Sequence, residues 1–287
     1  MQDLIGVLIA KAIGTNPLLG LIAGSVTMVG GHGTGAAFGE LFEKSYGFNG
    51  AVTAAMAAAT FGLVTGSLIG GPIGKKLIEK YNLKSNVSDY IDEIALTDET
   101  ITYEEMFKTF TIIIISMSLG AVLELWFKSK NITLPSYINA MIIAAIILNI
   151  GESTGKYHIN QKCADILGSI GLNVFLSMAL IGLKLWELKE VAGPMLIILI
   201  AQTVLMTIFA YFIVFRFNGK DYDAAVMSAG CCGFGMGATP NAMANMNAIC
   251  EKYGPAPRAF FVIPIVGAFL IDFTNSLIIT TFANFIK

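Results

Sequence analysis

The chain has 287 residues, 55% hydrophobic and 13% charged, with a mean hydropathy of +0.71. Soluble domains carry about 25% charged residues, so this composition excludes one of them and describes a polytopic membrane protein. Eighteen basic against 20 acidic residues give a formal net charge of −2, which offers nucleic acid no electrostatic footprint.

Residues 4 to 10 are too short an apolar run, with too little positive charge before it, for a secretory signal. Met1 to Thr15 reads as roughly half a crossing at ~1.5 Å per residue. Residues 18–44 then contain the phrase Gly31-His-Gly-Thr-Gly-Ala36, and a spanning helix is expected over 50–72. From 75 to 106 the character changes, with Lys75, Lys76, Lys80 and Lys84 followed by Asp89, Asp92, Glu93, Asp98, Glu99, Glu104 and Glu105. This reads as an aqueous connector, placed in the cytoplasm by the lysines just beyond a spanning helix. Further crossings are expected over 107–127, 135–151, 163–183 and 194–215, the second of them flanked by Asn131 and Thr133 and by Glu152, Ser153 and Lys156. Residues 221–251 carry a second phrase, Gly233-Phe-Gly-Met-Gly-Ala238, and a last span covers 257–286.

Alternating glycine is poor helix and poor strand material, so both phrases predict an unwound helix. Broken backbone inside a membrane is tolerated only where protein buries it or where it lines a polar cavity. Each segment is therefore read as a re-entrant hairpin, the second arm of the second one starting near Pro240 with Thr239 as its cap. Each hairpin is followed by a Tyr-Gly pair, Tyr46-Gly47 and Tyr253-Gly254, and then by a spanning helix. The five crossings expected between the hairpins, an odd number, put the hairpin bases on opposite sides and make the repeats inverted. The fold class is thus an all-α inverted-repeat secondary transporter with two re-entrant hairpins. Its parts are the remainder of a first repeat (1–74), a cytoplasmic connector (75–106) and a second repeat (107–287). Measured against the second, the first repeat is incomplete by on the order of 90 residues at ~20 per span, so a truncated or split chain is expected.

Half-helix N-termini present unpaired N–H groups and a partial positive charge, which favour an anion. Gly33, Thr34, Gly35 and Ala36 stand at one such end, and Gly237, Ala238, Thr239, Pro240 and Asn241 at the other. The competing explanation of the glycines is close helix packing. Asp272, Thr274 and Asn275 lie deep in the last span, where an ionisable group is functional by default. Asp272 suits a substrate ammonium, a cation or a proton, and Thr274 and Asn275 add oxygen ligands for Na⁺; a helix–helix hydrogen bond is the structural alternative.

Other polar groups carry less. His32 has no partners for a zinc site and reads as a hydrogen-bonding tip residue. Asn245 shares a face with Asn241 and is expected to line the cavity, whereas Asn247 is not. Ser25, Thr27 and Ser228 face either the cavity or their own helix backbone. Glu124, Glu152 and Lys184 lie near span ends and snorkel. The 13 methionines read as core filling, as do Cys163, Cys231, Cys232 and Cys250, which show no CxxC pair and no disulfide framework. No nucleophile–base pair is visible, so an enzyme is not expected.

The two hairpin phrases, Gly30-Gly-His-Gly-Thr-Gly-Ala-Ala-Phe38 and Gly233 to Met246, with Asp272-Phe-Thr-Asn275, resemble the glutamate:sodium symporter family of bacterial inner membranes. The resemblance extends over essentially the whole chain. It implies Na⁺-coupled uptake of L-glutamate, ten spanning helices in two inverted repeats, a homodimer and elevator-like motion, with Na⁺ as coupling ion and no cofactor. It places substrate binding at Gly33, Thr34, Gly35, Gly237, Ala238, Thr239, Pro240, Asn241 and Asp272, and Na⁺ at Asp272, Thr274 and Asn275. The family's first three helices and part of its fourth have no counterpart here, which puts dimerisation and folding in doubt. The alternatives are a carrier for another small carboxylate, such as aspartate or a citrate-like anion, and an inactive truncated membrane protein.

Overall fold

Backbone without water must pair its own N–H and C=O groups, and helices do this within one segment. The computed structural model describes residues 1–85, 101–129, 136–181, 186 and 188–286, and no strand occurs among them. The acidic run from Asp89 to Glu99, Asn131, Thr133, Pro135 and Lys184 lie outside the described residues. Among the described residues, four helices are long and apolar enough to cross a membrane: Ala51–Tyr81, Tyr103–Phe127, Tyr137–Thr154 and Val191–Phe217. The protein is an all-α polytopic membrane protein.

The chain divides into two compact units, Met1–Ile91 with Leu183–Lys287, and Asp92–Gly182. The second unit holds α5 (Tyr103–Ser129), α6 (Ser136–Thr154) and α7 (Gln161–Ile181). In it α5 packs closely on α6, because Gly120 leaves no room for a Cβ against the backbone of Ala140.

The first unit opens with α1 (Gln2–Ala12) and α2 (Pro17–Leu21), the latter started by Pro17 and by the Asn16 side chain accepting from the Leu18 N–H at 2.9 Å. A π-helical turn, Ile22–Val26, follows, in which Gly24 leaves helical geometry (φ −92, ψ −138). Then come α3 (Gly31–Tyr46) and α4 (Ala51–Tyr81). After the other unit the chain returns as α8 (Leu188–Ile208), which runs through a π-helical stretch (Phe209–Val214) into α9 (Phe215–Phe217). Next, α10 (Tyr222–Gly235) starts where the Asp221 carboxylate accepts from the Ala224 N–H at 2.9 Å. It packs on α11 (Thr239–Tyr253), and α12 (Pro257–Ile265), a π turn (Val266–Leu270) and α13 (Ile271–Ile286) close the unit. Both α3 and α11 stop at a Tyr-Gly pair whose glycine takes positive φ, 68° at Gly47 and 102° at Gly254.

At the centre, α4 meets α10 backbone to backbone. Gly62, Gly66, Gly70 and Gly74 recur every fourth residue on one face of α4, and a Cβ on Gly66 or Gly70 would come 3.0 or 2.9 Å from the carbonyl oxygens of Cys232 or Ala229. This seam lies outside both glycine phrases.

Three expectations require correction. The phrase Gly31 to Ala36 is unwound only at its start: the chain leaves the helix at Gly24 and at Val29–Gly30, Gly31 takes φ +60, and the rest of the phrase lies in α3. Glycine costs a helix about 1 kcal/mol relative to Ala. Here it permits α3 to lie against α4, where a Cβ on Gly35 would touch the Ala55 Cβ at 3.4 Å and one on Gly39 would meet the Val52 Cα at 2.9 Å. Packing outweighs propensity. In the second phrase only Met236 to Ala238 leaves the helix; extended Ala238 stands at the cap, without a side-chain cap bond, so Thr239 does not cap and Pro240 is one residue further in. Finally, α4 runs past residue 72 to Tyr81, so Lys75, Lys76 and Lys80 belong to its last turns rather than to a loop.

Candidate functional site

The two interruptions meet. Gly31 takes φ +60, and a Cβ there would stand 2.9 Å from the carbonyl oxygen of Gly237, so the start of α3 touches the break that precedes α11. Only glycine suits both the backbone conformation and the space. The N-terminal turns of α3 and α11, each a source of partial positive charge, therefore lie close together.

Three side chains distant in sequence, Asp3, Gln2 and Asn275, tie other elements to these breaks by hydrogen bonds. Asp3, in the first turn of α1 and 2% exposed, accepts from both the N–H and the hydroxyl of Ser25, each at 2.8 Å, beside the non-helical Gly24. Gln2 donates through Nε2 to the Gly235 carbonyl at 2.8 Å, and the Gln202 amide of α8 donates to the Gln2 carbonyl, also at 2.8 Å. Asn275, 7% exposed on α13, donates to the Ser25 carbonyl at 3.1 Å. The π turn before α13 borders the second break as well, since a Cβ on Gly267 would lie 3.2 Å from Thr239 Oγ1. Sequence reasoning singled out Asn275 and Ser25 but passed over Asp3. The signal was available: an acid beside an apolar run meets the same criterion that selected Asp272.

The remaining sequence-selected residues divide. Asn241 is held by α4, its Nδ2 donating to the Leu63 carbonyl at 3.0 Å and its Oδ1 accepting from the Ser67 hydroxyl. Asn245 is buried and bridges helices instead of lining an open cavity, donating to the carbonyls of Gly66 at 3.1 Å and Ala229 at 3.2 Å. Thr27 and Ser228 bond back to their own chain, at Ile22 and Ala224. His32 meets Thr60 Oγ1 at 3.1 Å. Gly33 and Pro240 are exposed, and Thr34, Ala238 and Thr239 half-buried.

The expected triad on the last span does not converge. Regular α-helix sets residues two apart on different faces. Asp272 and Thr274 are both exposed; the Thr274 hydroxyl donates to the Leu270 carbonyl at 2.6 Å, and Asn275 turns inward to Ser25. Glu124 and Glu152 lie on α5 and α6, in the other unit. Among the described residues no group of three or more His, Cys, Asp or Glu gathers to hold a metal ion.

These features define an all-α polytopic membrane protein whose two helix interruptions touch in its interior. The family model Sodium/glutamate symporter matches residues 1–255, and the chain belongs to that family, one of transporters and not of enzymes. It is 44% identical, over 97% of its own length and 71% of the relative's, to the Sodium/glutamate symporter of Escherichia coli (strain K12), with the same figures for that of Shigella flexneri. To the Sodium/glutamate symporter of Haemophilus influenzae it is 41% identical over 97% of this chain and 70% of the relative. No solved structure matches the chain significantly.

Proposed function

We propose that this chain carries L-glutamate across a bacterial inner membrane by symport with Na⁺. The observation that carries the reading is the meeting of two helix interruptions, Gly31 against Gly237, in a chain 44% identical over 97% of its length to a sodium/glutamate symporter. Glutamate presents two carboxylates, and two helix N-termini stand together to receive them. One supplies Gly33, Thr34 and Gly35, the other Gly237, Ala238, Thr239, Pro240 and Asn241. Their backbone N–H groups and hydroxyls bind the anion without adding net charge to a membrane interior. Asp272 takes the substrate ammonium or shares Na⁺ with Asn275 and Thr274, whose side chains turn toward it from the hydrogen bonds they hold here. Asp3 and Asn275 both hold Ser25 and so set the shape of the first interruption.

In this reading the two interrupted segments are re-entrant hairpins of inverted repeats, supported by the recurring order of interruption, helix, Tyr-Gly stop and long helix. The active form is a homodimer. The test is uptake of labelled glutamate into liposomes holding the full chain, driven in turn by inward Na⁺, K⁺ or H⁺ gradients. Uptake is expected with Na⁺ alone; uptake indifferent to Na⁺ from a folded protein overturns the coupling.

A further inference from the structure

The last turns of α4, beside the π stretch that ends α8, form a concave surface apart from the meeting of Gly31 and Gly237. It encloses about 750 Å³, lined by Gly71, Pro72, Lys75, Lys76, Glu79 and Lys80. Its charges are unevenly matched. Glu79 faces Lys75 at 3.8 Å and accepts from the Tyr253 hydroxyl at 3.2 Å, but Lys76 and Lys80 form no ion pair among the described residues. Both ammoniums sit over the Tyr211 ring, 5.8 and 5.4 Å from its centre, and Lys80 donates to the Tyr211 hydroxyl at 3.0 Å. Like charges one turn apart repel, and an anion between them removes the repulsion.

The exposed side of α4 winds on, at four-residue steps, from Lys80 and Lys76 through Pro72 to Leu68 and Val64, which are 66% and 56% exposed. Phe212 beside Tyr211 is 60% exposed. An apolar track thus leads along a membrane-spanning helix to two unmatched ammoniums and a tyrosine at its end, the arrangement expected at the boundary of bilayer and water.

We infer that this surface binds an anionic phospholipid, its phosphodiester between Lys76 and Lys80 and an acyl chain along Leu68 and Val64. A zwitterionic lipid brings its own ammonium to the pair, and free phosphate gains nothing from the apolar track.

Native mass spectrometry of the full chain in mild detergent tests this, with phosphatidylglycerol, phosphatidylethanolamine and inorganic phosphate as probes. Phosphatidylglycerol is expected to be retained on the order of tenfold better than phosphatidylethanolamine. The double variant Lys76→Gln/Lys80→Gln should lose about that preference, Lys76→Arg/Lys80→Arg should keep it, and Lys44→Gln should leave it unchanged. Equal retention of the two lipids, or a preference that survives the glutamine pair, overturns the site. Displacement of the lipid by an equal concentration of inorganic phosphate reduces it to a simple anion site and overturns the lipid assignment.

Discussion

Asp3 holds Ser25 through two hydrogen bonds in a place water does not reach, and that decides what its loss should do. Asp3→Ala leaves the Ser25 N–H and hydroxyl without acceptors, and hydrogen bonds to a charged group contribute about 1.5–3 kcal/mol each. Asp3→Asn keeps an acceptor for the Ser25 N–H and lets its amide donate to the Ser25 hydroxyl, but replaces a charged acceptor by a weaker neutral pair. The expected order of thermal midpoints in detergent is wild type, then Asn, then Ala, with Na⁺-driven glutamate uptake falling in the same order; unchanged midpoints and uptake in the Ala variant would show that Ser25 does not depend on Asp3. At Asp272 the expectation differs, because the carboxylate is exposed and forms no hydrogen bond or ion pair among the described residues. Asp272→Asn should leave the midpoint nearly unchanged and lower uptake or its Na⁺ dependence far more than Glu124→Gln does. Equal effects of the two would remove Asp272 from the site. Asp272 stands out in the sequence because it interrupts a long apolar run. What the sequence left open is how Asp272, Thr274 and Asn275 point, because proximity in sequence is not proximity around a helix.

Among the elements, α4 and α10 make the clearest case for packing over propensity. Adjacent glycines on α4 separate the two effects. A Cβ on Gly70 would meet the carbonyl oxygen of Ala229 at 2.9 Å as well as the Asn245 side chain, whereas one on Gly71 has nothing within 4 Å. Gly70→Ala should therefore destabilise by about 1–3 kcal/mol through overpacking, partly offset by up to about 1 kcal/mol of helix propensity. Gly71→Ala keeps only the propensity gain and should leave the melting point level or raised; equal shifts for the pair would mean that the seam is not tightly packed. The same competition explains how much of the two interruptions could be read from the chain. That two interruptions occur was visible in the glycine phrases. Their positions were not, since Gly31 to Gly39 can either unwind or let a neighbouring helix approach, and only α4 lying alongside selects the second.

For the whole molecule, the proposed inverted repeat carries a topological consequence. If the hairpin bases open on opposite sides, Ser45 at the end of α3 and Lys252 at the end of α11, both exposed, face different compartments. In a Cys250→Ser background, Ser45→Cys and Lys252→Cys should react with an impermeant thiol reagent from opposite sides of oriented vesicles. Labelling from one side alone would overturn the inversion. By itself the sequence determined that this is a helical membrane protein, where its apolar segments run and which family's phrases it carries. Those properties follow from local composition, because a bilayer requires each spanning segment to satisfy its own backbone. Only the tertiary structure decided that Gly31 touches Gly237, that Gln2 reaches Gly235 across 233 residues and that Asn275 reaches Ser25 across 250. Contacts of that kind depend on how helices are set against one another in rotation and depth, and backbone satisfaction within each helix leaves both free.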